Sequence, residues 1–282
     1  MKPQTRVPTV VLLIALGAGS ATGVGAFSLI SVDQEVQIGR QAQAQIRQQV
    51  PEVRDRLVTA YIQNLGRTIA AHADGPRYPY SFSVANAREI NAFALPGGPV
   101  WVHRGAILAA QNESQLAAIM AHEVAHIANR HTADRVSQAL AANVGLGLLD
   151  ALLGNGRRAQ IAEVGAVVAA NAAMAKFSRD DEREADEKGM IYMRRAGFDP
   201  GGMAELMQLL RAQQRRDPSS VETFFASHPS PADRIARLNA TERSLGTSGR
   251  RDSRGFRAAQ ARASDLGPMA SLSGSRGSRA RR

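Results

Sequence analysis

Residues 114–130 read SQLAAIMAHEVAHIANR, and their centre, His122-Glu123-Val124-Ala125-His126, is a His-Glu-x-x-His pattern inside an apolar stretch of helical period. Asn112 or Ser114 supplies a starting cap, and Leu116, Ile119, Met120 and Val124 give the stretch a face to bury. On a helix, residues four apart are separated by about 40° of rotation and about 6 Å of rise, so the two imidazoles point to one side and can share a zinc ion. Glu123 is turned about 100° from His122. From there it can act as general base toward a water at the metal's open position and later protonate a leaving amine. A chance pentapeptide would leave two unrelated histidines. The apolar helical frame, with nothing charged beside the ligands, is the context in which the pattern carries chemistry.

A zinc site of this kind takes three protein ligands and keeps a fourth position open. An extended pattern would place glycine at position 129 and histidine at 132, whereas the chain has Asn129 and Thr132. His131 falls one residue short and reads as a polar residue near the helix end, at most in contact with a ligand. The third ligand must therefore come from downstream. The acidic run 180–186 offers Glu182 and Asp186 at i,i+4 on one helical face, so that one can bind metal while the other accepts the free N–H of a ligand histidine.

The rest of the chain reads as a helical frame around this stretch. From Asp33 to about Ala71 apolar residues recur at helical spacing, and Pro51 divides the segment into two helices. Short strands are expected at 78–84, 89–95 and 100–103, the second ended by Pro96-Gly97-Gly98. Residues 140–175, interrupted at 154–158, suggest two packed helices, and further helices are expected at 178–194, 202–216 and 231–239. Lys2 and Arg6 precede an uncharged stretch, so residues 1–26 read as an export signal, cleaved after Ala21 or Ala26, or as an N-terminal anchor. The catalytic domain is expected over 27–240. The net charge of +10 is concentrated in 241–282, where ten Arg face three acidic residues; that tail, poor in large apolar side chains, is expected to be disordered. No cysteine is present, which excludes disulfides, thiolate sites and cysteine nucleophiles and leaves His and carboxylate as metal ligands.

In six blocks, 35–44, 91–98, 113–131, 178–189, 196–200 and His228-Pro229, the chain resembles the HtpX and BepA type of gluzincin metallopeptidase, the family that also holds the CAAX prenyl proteases. The resemblance implies an α+β fold: a mostly helical zincin-like domain with a small antiparallel sheet beside the active-site helix. It implies one zinc ion per chain on His122, His126 and Glu182, with Asp186 supporting a ligand from behind and Glu184 a neighbour without a metal role. By the same resemblance Val100, Trp101 and Val102 form an edge strand to which an extended substrate adds. His228 then approaches the zinc or the reacting carbonyl. Two departures stand out. The multi-spanning hydrophobic topology of HtpX is absent, and only a short basic tail follows the His-Pro element where BepA-like members carry tetratricopeptide repeats.

These readings converge on an exported zinc endopeptidase of the periplasm, membrane-associated if its N-terminal segment is retained, with protein or peptide substrates. Unfolded or misassembled envelope proteins are the targets that the resemblance implies. The competing class is a non-proteolytic chaperone or assembly factor on the same scaffold, against which the intact Glu123 argues. The basic tail points to an anionic membrane surface rather than to specific nucleic acid, since Phe256 is the only aromatic residue among its arginines.

Overall fold

The computed structural model describes residues 30–143, 158–171, 176–229, 232–246 and 248–272. The expected export segment at 1–26 and most of the turn at 154–158 lie outside them. Pro51 does divide two helices, α1 (Val32–Gln49) and α2 (Arg56–Ala70). Three strands follow, β1 (Ser81–Ala85), β2 (Ala92–Ala94) and β3 (Pro99–His103), and then the helices α3 (Arg104–Ala109), α4 (Glu113–Ala128), α5 (His131–Asn143) and α6 (Arg158–Asn171). After these come α7 (Arg179–Arg195), α8 (Gly202–Arg216), α9 (Glu222–Ser227), α10 (Arg234–Leu245) and α11 (Arg254–Asp265). No helix among the described residues is long and apolar enough to cross a membrane.

The helix that carries the His-Glu-x-x-His pattern is the centre of the domain. Every residue of α4 from Glu113 to Ala128 is buried, and Asn112 caps its start by accepting from the Gln115 amide at 2.9 Å. A helix apolar on all sides is covered on all sides: α2, α7, α8 and the sheet pack around it. Val100 and Val102 face this core, while Phe93 and Trp101 stack on the opposite face of the sheet, against Ala42 and Ile46 of α1.

The sheet corrects two expectations. Its order is β1-β3-β2, with β1 parallel and β2 antiparallel to β3, so it is mixed rather than antiparallel. Val100, Trp101 and Val102 consequently lie on the central strand, fully buried, with ladders on both sides, and cannot receive a substrate strand. The edge strands are β1, bridged at Ala85 by Glu52, and β2, which has no strand on its outer side among the described residues. The turn that joins β2 to β3 is fixed from outside: Gly97 has φ 70°, and a Cβ there would stand 2.4 Å from the Val36 backbone of α1. On α1, a Cβ at Gly39 would stand 1.9 Å from the Pro96 carbonyl oxygen, so two glycines let helix and turn touch.

The expected disorder of 241–282 is also corrected for the described part, because residues 248–272 are folded onto the domain. Ser253 caps α11, and Phe256, Ala259 and Ala263 are buried against α2 and α3. Covering a phenylalanine alone contributes roughly 1.5–3 kcal/mol. Arg104, itself buried, satisfies the end of α11 by donating to the carbonyls of Ala263, Leu266 and Gly267, each at 2.6 Å. Four of its arginines are paired with carboxylates: Arg250 with Glu113, Arg251 with Asp199 and Glu205, Arg257 with Asp252, and Arg262 with Asp55.

Candidate metal centre

His122 and His126 lie one turn apart on α4, both buried, with their Nε2 atoms facing at 3.1 Å. Glu182, in the first turn of α7, brings its carboxylate over the pair: Oε2 is 3.6 Å from His122 Nε2 and Oε1 is 3.4 Å from His126 Nε2. α7 begins there because Ser178 caps it, its Oγ accepting from the Asp181 amide at 3.1 Å while Asp181 Oδ2 accepts from the Ser178 amide at 2.9 Å. His228, at the end of α9, joins them. Its Nδ1 is 2.9 Å from Glu182 Oε1 and 3.3 Å from His122 Nε2, and its Nε2 is 3.5 Å from Glu123 Oε1.

Glu123 is buried and neither of its oxygens makes a well-formed hydrogen bond. Burial raises its pKa, and His228, His122 and the Ala94 backbone offset only part of the effect. Ala94 belongs to the edge strand. The Asn91 carbonyl accepts from the His103 amide at 2.9 Å and the Leu95 amide donates to the Pro99 carbonyl at 2.8 Å, so alternation along β2 turns the main-chain groups of Ala92 and Ala94 outward. The outer edge of β2 thus runs beside the carboxylate.

Behind the two histidines the surroundings differ. Asp186, one turn beyond Glu182, has Oδ1 3.1 Å from His122 Nδ1. Arg234, 1% exposed at the start of α10, donates to Asp186 through Nε and Nη2, both at 2.8 Å, and to Glu182 Oε2 through Nη1 at 2.7 Å. Burial opposes a charge on Asp186, but the Arg234 guanidinium, its strongest partner, holds the carboxyl below the usual range. Burial opposes a charge on His122 too, yet Asp186 and Glu182 outweigh it and carry its pKa to about 9. For His126 burial prevails and the pKa falls well below the ordinary value. Its Nδ1 meets His131 Nδ1 at 3.0 Å, and the Phe177 ring stacks on it with centroids 3.8 Å apart.

The donor set fits zinc. Ligands at about 2.0–2.1 Å around a tetrahedral centre stand about 3.3 Å from one another. The contacts between neighbouring donors among His122 Nε2, His126 Nε2, the two Glu182 oxygens and His228 Nδ1 run from 2.9 to 3.6 Å, and one ligand atom from each of the four residues lies within 4.8 Å of the others. Charge agrees once His122 is neutral, as a ligand must be: ionised Glu123, Glu182 and Asp186 beside Arg234 leave two negative charges that a divalent ion would balance. The residues expected at the metal, His122, Glu123, His126 and Glu182, are together, with Asp186 and His228 beside them.

Sequence reasoning missed Arg234 and Phe177. Arg234 left a signal, since it stands one turn before Leu238 and both face inward, and a cation on the buried face of a helix calls for a buried anion.

A His-Glu-x-x-His helix joined by a glutamate from a second helix, next to a small sheet with one open edge, defines a zincin-like metallopeptidase domain. The sequence model of Peptidase family M48 matches residues 56–242, and the chain belongs to that family, whose members use zinc. It is 35% identical over 219 residues to the Beta-barrel assembly-enhancing protease of Escherichia coli (strain K12), a match that covers 76% of this chain and 45% of that protein. It is 29% identical over 220 residues to the Mitochondrial metalloendopeptidase OMA1 of Schizosaccharomyces pombe (strain 972 / ATCC 24843), covering 75% of this chain and 62% of the relative. With the Metalloprotease LoiP of Escherichia coli (strain K12) it shares 26% identity over 163 residues, 57% of this chain and 62% of the relative. The chain thus spans less than half the length of the assembly-enhancing protease.

Proposed function

We propose that this chain is a zinc-dependent endopeptidase in which His122, His126 and Glu182 hold the ion and Glu123 is the general base. The observation that carries the reading is the convergence of three buried donors beside a buried carboxylate neither of whose oxygens makes a well-formed hydrogen bond. Zinc, when bound, would polarise the scissile carbonyl and bring the pKa of a water to about 7. Glu123 takes the proton of the attacking water onto a carboxylate oxygen and delivers it to the departing amide nitrogen, and the raised pKa that burial gives it suits that exchange. A peptide laid along Ala92–Ala94 would add a strand to β2 through main-chain bonds. Such recognition requires an accessible backbone, which is what unfolded or misassembled proteins offer. The name of the assembly-enhancing relative supports a place in quality control of the bacterial envelope, in the periplasm after export. Adhesion to an anionic surface through 241–282 has less to draw on once Arg250, Arg251, Arg257 and Arg262 are paired with carboxylates.

Glu123→Gln is expected to abolish casein hydrolysis while the purified full chain keeps its zinc, because the ligands survive and only the proton carrier is lost. Turnover by the metal-loaded variant would remove Glu123 from this role.

His228 belongs to the same proposal as the group that fills the fourth place and keeps the enzyme latent. Its support is that Nδ1 stands as close to Glu182 and His122 as those residues stand to the rest of the donor set. His228→Ala should raise casein hydrolysis or self-cleavage. A fall in turnover of roughly 10-fold to 1000-fold would instead mark His228 as a donor to the developing oxyanion.

A further inference from the structure

An imidazole that binds a metal through Nε2 carries its proton on Nδ1, and that N–H needs an acceptor to hold the ring in plane with the ion. For His122 the group in that place is the Asp186 carboxylate, Oδ1 standing 3.1 Å from Nδ1. For His126 the atom in that place is Nδ1 of His131, 3.0 Å away, with the ring centroids 5.1 Å apart. We propose that His131 is the positioning residue for His126, an inference that rests on reading His126 as a metal ligand.

The hydrogen-bond direction follows from the surroundings. With His126 Nε2, which faces Glu182 and His122, given to the ion as the ligand reading requires, the proton sits on Nδ1 and His131 Nδ1 accepts. The His131 proton is then on Nε2, which lies 3.4 Å from Glu184 Oε2 and 3.9 Å from Asp181 Oδ1. The Glu184 carboxylate, with Asp181 farther off, therefore favours the one tautomer of His131 that can support His126. Glu184, expected to be a neighbour without a metal role, supplies the outer end of this chain of contacts.

The backbone is arranged for the contact. On an unbroken helix a residue five positions beyond His126 would lie about 140° round the axis and point away. Arg130 prevents this: its φ of 62° ends α4 and lets α5 begin at His131, folded back over His126. The side chain of Arg130 is locked in turn, Nε donating to Glu35 Oε1 at 2.7 Å and Nη2 to the Ile30 carbonyl at 2.6 Å. Glu35 is fully buried on α1 and also accepts from the Tyr78 hydroxyl at 2.7 Å.

Two amide replacements test the assignment in the zinc-loaded full chain, by the rate of zinc release to a chromogenic chelator and the visible spectrum after cobalt substitution. Asn carries its oxygen on Cγ, where His131 has Nδ1, whereas Gln carries it one carbon farther out. His131→Gln is expected to release zinc roughly 10- to 100-fold faster and to shift the cobalt bands, while His131→Asn stays within about threefold of wild type. Circular dichroism checks that both variants are folded. Equal release from the two amides, fast or slow, would overturn the role of an acceptor at the Nδ1 place. Absence of zinc from the wild-type chain would overturn the ligand reading itself, and this inference with it.

Discussion

The two histidines of α4 project from the same helix one turn apart, yet they are backed by opposite kinds of structure. Behind His122 stand Asp186 and Arg234, charged, buried and joined by two parallel hydrogen bonds that also draw in Glu182. Behind His126 stands an imidazole, and behind that Glu184, whose side chain is 53% exposed. Fixed charge in a dry interior interacts strongly and cannot relax, whereas charge at a wet surface is screened. The His122 side should therefore govern whether the centre exists at all. The His126 side should tune how long the ion stays.

The sharpest way to break this contrast is Arg234→Met, which keeps most of the bulk and removes the cation. It leaves Asp186 and Glu182 buried without their partner, and removing one member of such a set typically costs about 3–5 kcal/mol. Urea unfolding of the metal-free chain measures it, and zinc content should fall alongside. A loss below about 1 kcal/mol would mean that proton uptake relieves the carboxylates and that charge on this side is not fixed.

This asymmetry was only half legible in the sequence. His122, Glu123 and His126 could be read because helical spacing converts directly into a shared face. Glu182 and Asp186 could be narrowed to a pair because i,i+4 spacing does the same for them. Arg234 was hidden by distance along the chain, 48 residues beyond Asp186. The strand at 99–103 could be located, but its place in the sheet could not, since alternation says nothing of neighbour order. Its run of Pro99-Val100-Trp101-Val102, apolar on both faces, suits a central strand, and the structure puts it there. The folded part of the tail escaped because α11 buries alanines beside a single phenylalanine and because Arg250, Arg251 and Arg262, which looked solvated, find carboxylates on the domain. Composition counts charges and does not show their partners.

The smallest effects are expected where the two backings are compared one carboxylate at a time, with zinc affinity read by competition against a chelator. Asp186→Asn keeps the shape and removes a buried charge in contact with a ligand histidine, and should weaken binding roughly 10- to 100-fold. Glu184→Gln removes a charge 3.4 Å from His131 Nε2 but at a water-facing position, with Asp181 Oδ1 standing by at 3.9 Å. The amide oxygen of the glutamine can still accept from His131, and solvent already screens the charge that is lost, so a change below about threefold is expected. The order of the two matters more than either value. If Glu184→Gln weakened zinc as much as Asp186→Asn, the exposed carboxylate would be acting through His131 with the strength of a buried one, and the division between a fixed side and an adjustable side would fail.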